Sequence, residues 1–329
     1  MKLLKPEPQL AQRHLRALTA IARAADAGLA RPQRALLEAL EWGVFETGSS
    51  IDSLEPIEAD ELGARIGDSA QARQLIRLMI VVSLADGPPN AKQMTQIRAF
   101  EEALAVREPA VGVVGHLARG KLLRFRLAFM RHSHLRNYLR NSYRMLGGVL
   151  PVLAAILRFR GVIREDSLTA ARYREFEKLP NGSLGQAFFL HCTKAGLPFP
   201  GERGGFPAGA IYHDFTHVLA GYDTSPEGEM KAAAFQAGFT KTENDFFTVL
   251  FAIVIHTAGI NLAPFPMPVL RGRIGQGDLA KDFVRALQRG GSTTVDLGDG
   301  WDFWQFVERP IDLVREELGI PPIAEAMCP

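Results

Sequence analysis

Apolar residues recur at three- and four-residue spacing along most of the chain, which is the periodicity of helices with one buried face. Within the first hundred or so residues this pattern predicts four helices, over residues 9–28, 31–44, 70–84 and 90–106. No segment shows the alternation of apolar and polar residues that is typical of a hairpin or a half-buried strand. The sequence therefore predicts an all-α protein with two helical regions.

One turn in this N-terminal region resembles a known helical domain. Residues 85–104, ADGPPNAKQMTQIRAFEEAL, resemble the small tellurite-resistance TerB-like domain, in which an Ala-Asp-Gly turn links two helices. The acids that follow this turn in TerB-like domains, where they can hold a metal, are replaced here by Pro89, Asn90 and Gln93. The resemblance implies a helical domain over residues 1–106, with a scaffold or interaction role favoured over metal binding.

A basic segment follows this domain. Between Glu108 and Glu165 the sequence has no acidic residue, and its many arginines are interleaved with large apolar residues. A basic amphipathic helix of this kind suits an anionic membrane surface, where each nearby Lys or Arg contributes about 1 kcal/mol. We predict that residues 107–168 connect the two helical regions and contact a membrane. The alternatives are a solvated basic face packed on an acidic neighbour and a nucleic-acid patch; nucleic acid is disfavoured as a partner because the C-terminal half has no recognition motif.

The composition indicates the class of protein and the cellular compartment that fit this chain. The chain has 329 residues, 47% hydrophobic and 22% charged, with a net charge of +2, which is a normal globular balance. Two cysteines, Cys192 and Cys328, are too few to stabilise a chain of this size by disulfide bonds, so a reducing compartment fits best. The longest apolar stretch, residues 246–260, falls short of the roughly 20 residues of a membrane-spanning helix and predicts a buried helix. The N-terminus lacks the apolar run of a signal peptide. We expect a cytoplasmic protein, peripheral on the inner face of a membrane.

Candidate metal chemistry is concentrated in residues 212–235, YHDFTHVLAGYDTSPEGEMKAAAF. On a helix His213 and His217 lie one turn apart on the same face, where two imidazoles can bind one Zn²⁺-like ion. Asp214 lies about 100° around the helix from His213 and can reach the flank of such a site, as a ligand or as an orienting residue.

Glu229 can join these residues only if the chain turns. On an uninterrupted helix it would lie about 18 Å from His217, at about 1.5 Å per residue. Gly221 and the run Asp-Thr-Ser-Pro provide a turn, in which Ser225 is a plausible N-cap and Pro226 the first residue of a second helix. Glu229 then lies in the first turn of that helix and can face the first one. The predicted metal ligands are His213, Asp214, His217 and Glu229. Zn²⁺ suits this mixed nitrogen and oxygen set best, with Fe²⁺ and Mn²⁺ as alternatives.

The spacing HDxxHx11E formed by these four residues resembles the signature of the coenzyme Q biosynthesis protein four family. Two further segments are similar to patterns of that family, LPNGSLGQAF at residues 179–188 and WDFWQFVERPIDLVREELGI at residues 301–320. The resemblance covers about residues 170–322, so we assign residues 169–329 to a C-terminal domain that carries a metal and lipid site.

The resemblance implies a protein of ubiquinone biosynthesis that binds a polyprenyl quinone precursor. It implies a metal-dependent step that removes the carboxyl group from C1 of a polyprenylated, hydroxybenzoate-derived head group and replaces it with hydroxyl. His213, Asp214, His217 and Glu229 would then be catalytic residues, with Asp214 orienting the ion's ligands. The partners implied are a membrane surface and other ubiquinone-biosynthesis proteins, and a homo-oligomer is compatible with this assignment. The helix over residues 246–260 is a candidate wall for the prenyl groove.

Three alternatives stay open from the sequence. The first is a non-catalytic lipid-binding organiser of the biosynthetic complex, with a structural metal. The second is an HD-type phosphohydrolase, for which His191 could serve as the earlier histidine, although no downstream Asp has a compelling context. The third is a degenerate HExxH metalloprotease, disfavoured because Asp214 would replace the glutamate base with a side chain one methylene shorter.

Overall fold

The regular secondary structure of the described residues is helical. The computed structural model describes residues 1–25, 28–63, 68–132, 143, 147–242, 245–262 and 269–323. Within these ranges strand-like pairing is limited to two isolated bridges, between Ser183 and Pro310 and between Ala258 and Arg271. The prediction of an all-α fold is confirmed.

The helices are numbered here in chain order. The first seven are α1 Pro8–Arg23, α2 Arg31–Leu40, α3 Ala59–Gly63, α4 Ser69–Leu84, α5 Ala91–Ala103, α6 Pro109–Ala118 and α7 Leu122–His132. The others are α8 Val149–Phe159, α9 Ser167–Arg174, α10 Leu184–Ala195, α11 Tyr212–Ala220, α12 Pro226–Phe239, α13 Asp245–His256, α14 Leu279–Ser292 and α15 Ile311–Glu317. A π-helical turn, Glu41–Phe45, continues α2, and short 3₁₀ turns cover Ile51–Ser53, Glu175–Lys178, Ala208–Ala210, Arg273–Gly275 and Phe303–Gln305. The four predicted N-terminal helices correspond to α1, α2, α4 and α5.

The residues that replace the TerB-like acids cap a helix. Asn90 is the N-cap of α5 and its side chain accepts a hydrogen bond from the Gln93 backbone N–H at 2.8 Å, while the Gln93 side chain accepts one from the Asn90 N–H at 3.1 Å. This reciprocal pair satisfies two backbone donors at the start of the helix. Gln93 is buried, and its Nε2 donates to the Ile21 carbonyl of α1 at 3.2 Å. Asn90 and Gln93 therefore have a structural role at the start of α5.

The chain forms two compact units, each discontinuous in sequence. The first unit comprises residues 2–133 and 246–288, and the second comprises residue 1 with residues 134–245 and 289–329. The predicted domains, 1–106, 107–168 and 169–329, are assigned from sequence resemblance and from the distribution of charge. The division of the chain into two compact units does not test these boundaries. They stay predictions.

The basic segment contains several helices. Gly120, with a φ of +66°, ends α6 and separates it from α7. In α7 the rings of Phe125 and Phe129 are buried, whereas Leu123 is 70% exposed and its apolar neighbours Leu127 and Met130 are also exposed. Helix α7 therefore has a buried aromatic side and an exposed side on which apolar and basic residues are mixed, and the amphipathic connecting segment stays a prediction. Residues 133–142 and 144–146 of the predicted segment lie outside the described part of the chain.

The predicted buried helix over residues 246–260 corresponds to α13, in which Phe246, Leu250 and Ile253 are fully buried. Among the described residues, no helix combines the length and the apolar character that crossing a bilayer requires.

An aromatic cluster in the second unit fixes α10 against α11. Phe188 of α10 stacks on Phe215 of α11 with ring centroids 4.5 Å apart, and Phe303 packs on Phe215 at the same separation. Gly185 allows a close approach to the C-terminal segment, because its backbone N–H donates to the Val307 carbonyl at 2.8 Å and a Cβ would lie 3.0 Å from that oxygen. Helix α11, which carries the two predicted histidine ligands, is thereby held from one side.

Candidate metal centre

Helix α11 presents two imidazoles to one point. His213 and His217 are separated by one turn, and their Nε2 atoms lie 3.3 Å apart with the ring planes at 88°. The His217 side chain is 1% exposed and that of His213 is 33% exposed, so the pair opens to one side only. The predicted placement of both histidines on one face of a helix is confirmed.

The turn that follows brings Glu229 back to these histidines. Gly221 ends α11 in the left-handed conformation, with φ of 73°, and the Ser225 Oγ caps α12 by accepting from the Gly228 N–H at 3.1 Å. A Cβ at Gly228 would overlap the Asp223 backbone oxygen, so glycine is needed where the turn closes on the helix. Glu229 lies in the first turn of α12, as predicted.

The three side chains form a donor set of the size a small divalent ion requires. Glu229 places Oε2 3.3 Å from His213 Nε2 and Oε1 3.5 Å from His217 Nε2. All three ligand atoms lie within 4.8 Å of one another. Tetrahedral ligands at Zn–N distances of about 2.0–2.1 Å are about 3.3–3.4 Å apart. The residues present therefore fit a divalent metal.

Hydrogen bonds at the far side of each ring orient the two Nε2 atoms. The His217 Nδ1 lies 3.2 Å from the Tyr222 carbonyl oxygen, and the His213 Nδ1 lies 3.3 Å from the Gln236 Oε1. When each Nδ1–H donates to its oxygen, each Nε2 keeps a lone pair for an ion. Gln236 is in turn fixed by donating to the Tyr212 hydroxyl at 3.3 Å. Sequence reasoning missed Gln236, although it lies seven residues after Glu229 and hence two turns along the same face of α12.

Two arginines distant in sequence hold the end of the helix that carries His217. Arg289 donates to the Ala220 carbonyl at 3.1 Å. Arg315 donates to the Leu219 carbonyl at 2.9 Å and to the Val218 carbonyl at 3.0 Å. Cations at a helix C-terminus satisfy free carbonyls and interact favourably with the helix dipole. Both contacts were missed because sequence separations of 69 to 97 residues give no local signal.

In the absence of an ion, His213 and Glu229 of the donor set form an ion pair in which each shifts the pKa of the other. Burial alone would lower the pKa of His213, but the hydrogen bond and negative charge of Glu229 outweigh it and raise that pKa to about 9. Burial would raise the pKa of Glu229, but hydrogen bonds from His213 and His217 outweigh it and hold the pKa of that carboxyl well below its usual range. Without an ion, the site therefore contains an imidazolium paired with a carboxylate.

Asp214, the fourth predicted ligand, does not belong to the converging group of three. Its side chain is buried, and burial raises its pKa to about 6 despite the opposing positive charge of His213. Asp214 follows His213 on α11 and therefore lies beside the site. Its role as an orienting residue stays a prediction.

Replacing Gln236 by leucine is expected to weaken Zn²⁺ binding about 10- to 100-fold, because His213 loses the acceptor that fixes its tautomer and ring orientation. Competition with a chromophoric chelator would measure the affinity. Gln74→Leu is the matched control, since Gln74 is a buried amide of the first unit that donates to the Leu4 carbonyl. Equal affinities for the two variants would contradict the assigned role of Gln236.

Comparisons with known proteins give little further information about the function of this site. No protein-family model matches the chain, and no curated protein matches it in sequence. Among solved structures, the chain is similar to a Nostoc punctiforme protein whose name assigns it provisionally to ubiquinone biosynthesis. The two are 18% identical with a TM-score of 0.33, over 76% of this chain and 98% of that one. A likeness of this degree carries no argument about function, so membership of the coenzyme Q biosynthesis protein four family stays a prediction.

Proposed function

We propose that this protein takes part in ubiquinone biosynthesis and uses a bound divalent metal to replace the C1 carboxyl group of a polyprenylated head group with hydroxyl. The observation that carries the proposal is the convergence of His213, His217 and Glu229, three residues of the HDxxHx11E motif, on one point. A second support is the match of all four motif positions in the sequence.

The chain's own residues have distinct parts in this chemistry. His213 and His217 through Nε2 and Glu229 through its carboxylate would hold the ion, which when bound supplies a Lewis acid for the aromatic carboxylate. Gln236 and the Tyr222 carbonyl orient the two imidazoles. Asp214, whose pKa is raised to about 6 by burial, holds a proton beside the site on the acid side of neutrality. The bond from C1 to the carboxyl group would break with loss of CO₂, and a bond from C1 to hydroxyl would form. With water as the source of the hydroxyl oxygen, this step is a two-electron oxidation of the head group, in which dioxygen would accept the electrons and become hydrogen peroxide.

The identity of the metal is part of the proposal. Zn²⁺, expected from the sequence, is held by two histidines and a glutamate in some hydrolases. The same two-histidine, one-carboxylate set holds Fe²⁺ in oxygenases, and replacement of carboxyl by hydroxyl with dioxygen is an oxidation. Zn²⁺ has no redox chemistry of its own, so the catalytic test must include Fe²⁺ and Mn²⁺.

The membrane contact that we propose rests on α7. Its exposed apolar residues, Leu123, Leu127 and Met130, are interleaved with the exposed basic residues Arg124 and Arg131. An amphipathic helix with this composition binds the headgroup layer of anionic membranes. Such contact would bring the protein to a substrate whose prenyl chain lies in the bilayer.

The test combines both parts of the proposal in one sample. Protein loaded with Zn²⁺, Fe²⁺ or Mn²⁺ is mixed in the presence of dioxygen with vesicles that contain a prenylated hydroxybenzoate labelled in its carboxyl carbon. We expect co-sedimentation with anionic but not neutral vesicles, and release of labelled CO₂ that is abolished in Glu229→Gln. Lipid binding without CO₂ under any metal would favour the non-catalytic organiser, and hydrolysis of nucleotides would favour the phosphohydrolase.

A further inference from the structure

His191 lies beside the metal centre without belonging to its donor set. It is on α10, and its ring stacks on that of His217 with centroids 5.5 Å apart and an interplanar angle of 25°. The position follows from the packing of α10 on α11. Phe188, three residues before His191, stacks on Phe215, two residues before His217. The aromatic cluster therefore fixes where the His191 ring lies.

The Nε2 atom of His191 is buried and has no hydrogen-bond partner among the described residues. Leaving a buried polar atom unpaired is unfavourable, and most such atoms in native proteins have a partner. A neutral imidazole has one nitrogen that donates and one that accepts, so Nε2 can donate when Nδ1 carries no proton.

A second histidine with unpaired, buried ring nitrogens shows what distinguishes His191. His14 also has ring nitrogens without partners in the described chain, and its ring packs edge-on against Phe45 at 6.1 Å. The ring beside His14 is that of a phenylalanine, whereas the ring beside His191 is that of His217, one of the three converging donors. His14 is accounted for by packing. His191 differs because its unpaired nitrogen lies near a group that can hold an ion.

We propose that His191 binds the non-protein ligand of the metal centre, donating a hydrogen bond from Nε2 to an oxygen of a carboxylate held at the ion. Three protein donors leave a tetrahedral ion at least one further position, and a ligand there lies within the site that His191 borders. The inference rests on the metal centre of the proposed function and identifies an aromatic carboxylate as the class of ligand. It does not depend on decarboxylation.

The experiment uses full-length protein loaded with Co²⁺, whose visible absorption reports the ligands of the ion, and 4-hydroxybenzoate as the probe. Titration with the probe gives its dissociation constant from the change in the spectrum. In His191→Phe, which keeps an aromatic ring on His217, we expect at least about tenfold weaker binding of the probe, since a hydrogen bond to a charged group is lost. The Co²⁺ content and the probe-free spectrum should match those of the wild type.

A conservative variant separates the hydrogen bond from packing. His191→Gln retains an N–H donor and should recover most of the affinity, whereas His191→Leu should behave like His191→Phe. If His191→Phe does not fold, the ratio of affinities of the Gln and Leu variants decides the question. Equal probe affinity in the wild type, Gln and Leu proteins, or loss of Co²⁺ from both the Gln and Leu variants, would overturn the inference.

Different experimental results would show that this inference is wrong and that the proposed function is wrong. A wild-type protein that takes up no Co²⁺ overturns the metal centre and this role of His191 together. A protein that binds Co²⁺ and the probe in a His191-dependent way, yet releases no CO₂ from the prenylated substrate, supports the inference and overturns only the proposed chemistry.

Discussion

Substitution of His217 by alanine is expected to reduce bound metal from about one ion per chain to less than about a tenth. His217 supplies one of three converging donors, and it is the most buried of them, so water cannot simply replace it. Loss of an orienting partner already costs about 10–100-fold in affinity, and loss of a direct ligand should exceed that. Metal analysis of the purified variant by inductively coupled plasma mass spectrometry, after dialysis against metal-free buffer, would measure the content.

Two further variants make this result specific. Glu229→Gln keeps the size of the side chain but removes its charge, and should also lose the metal. His116→Ala, in α6 of the first unit, removes a histidine outside the donor set and should keep the wild-type content. A wild-type protein that is folded and metal-free, or a His217→Ala variant that retains its ion, would remove the metal centre from this account.

The arrangement of the donor set could be predicted from the sequence because its determinants are local. The i, i+4 spacing placed His213 and His217 on one face, and Ser225 with Pro226 marked the start of the next helix. These two signals together required a reversal of the chain between α11 and α12. Glu229, in the first turn of α12, could then face α11.

Residues that support the donor set from a distance could not be predicted. Arg289 and Arg315 reach the carbonyl groups of α11 from the C-terminal part of the chain, and nothing in their neighbouring sequence marks them as helix caps. From the sequence, His191 could serve only as the earlier histidine of an HD-type phosphohydrolase, because its stacking on His217 depends on the packing of α10 against α11. The role of Asp214 could not be predicted for a different reason. A residue next to His213 points about 100° away from it around the helix, so spacing alone could not show whether Asp214 is a metal ligand or a neighbour of the site.

The affinity for Zn²⁺ is expected to rise about tenfold per pH unit from about pH 7 to about pH 9 and to level off above that. In the metal-free protein the pairing with Glu229 raises the pKa of His213 to about 9 against the effect of burial, so the ring is protonated below that pH. An ion binds only the neutral imidazole, so one proton must leave on binding, and each unit below the pKa lowers the apparent affinity about tenfold. Chelator competition at pH 7, 8 and 9 measures the slope, and titration calorimetry in two buffers of different ionisation enthalpy counts the released proton.

The stability of the metal-free protein is expected to fall as pH rises, whereas the affinity for Zn²⁺ rises. A pKa of His213 above its ordinary value of 6.5 means that the pairing contributes stability fully below that value and loses it as pH rises through about 9. The lowered pKa of Glu229 means that its contribution is present above the ordinary value of 4.5 and is lost in acid. Urea unfolding should therefore show the metal-free protein weakening from about pH 6.5 to about pH 9, over much of the range in which Zn²⁺ binding strengthens. A flat affinity profile with no proton released would show that His213 is already neutral at pH 7 and that Glu229 does not pair with it.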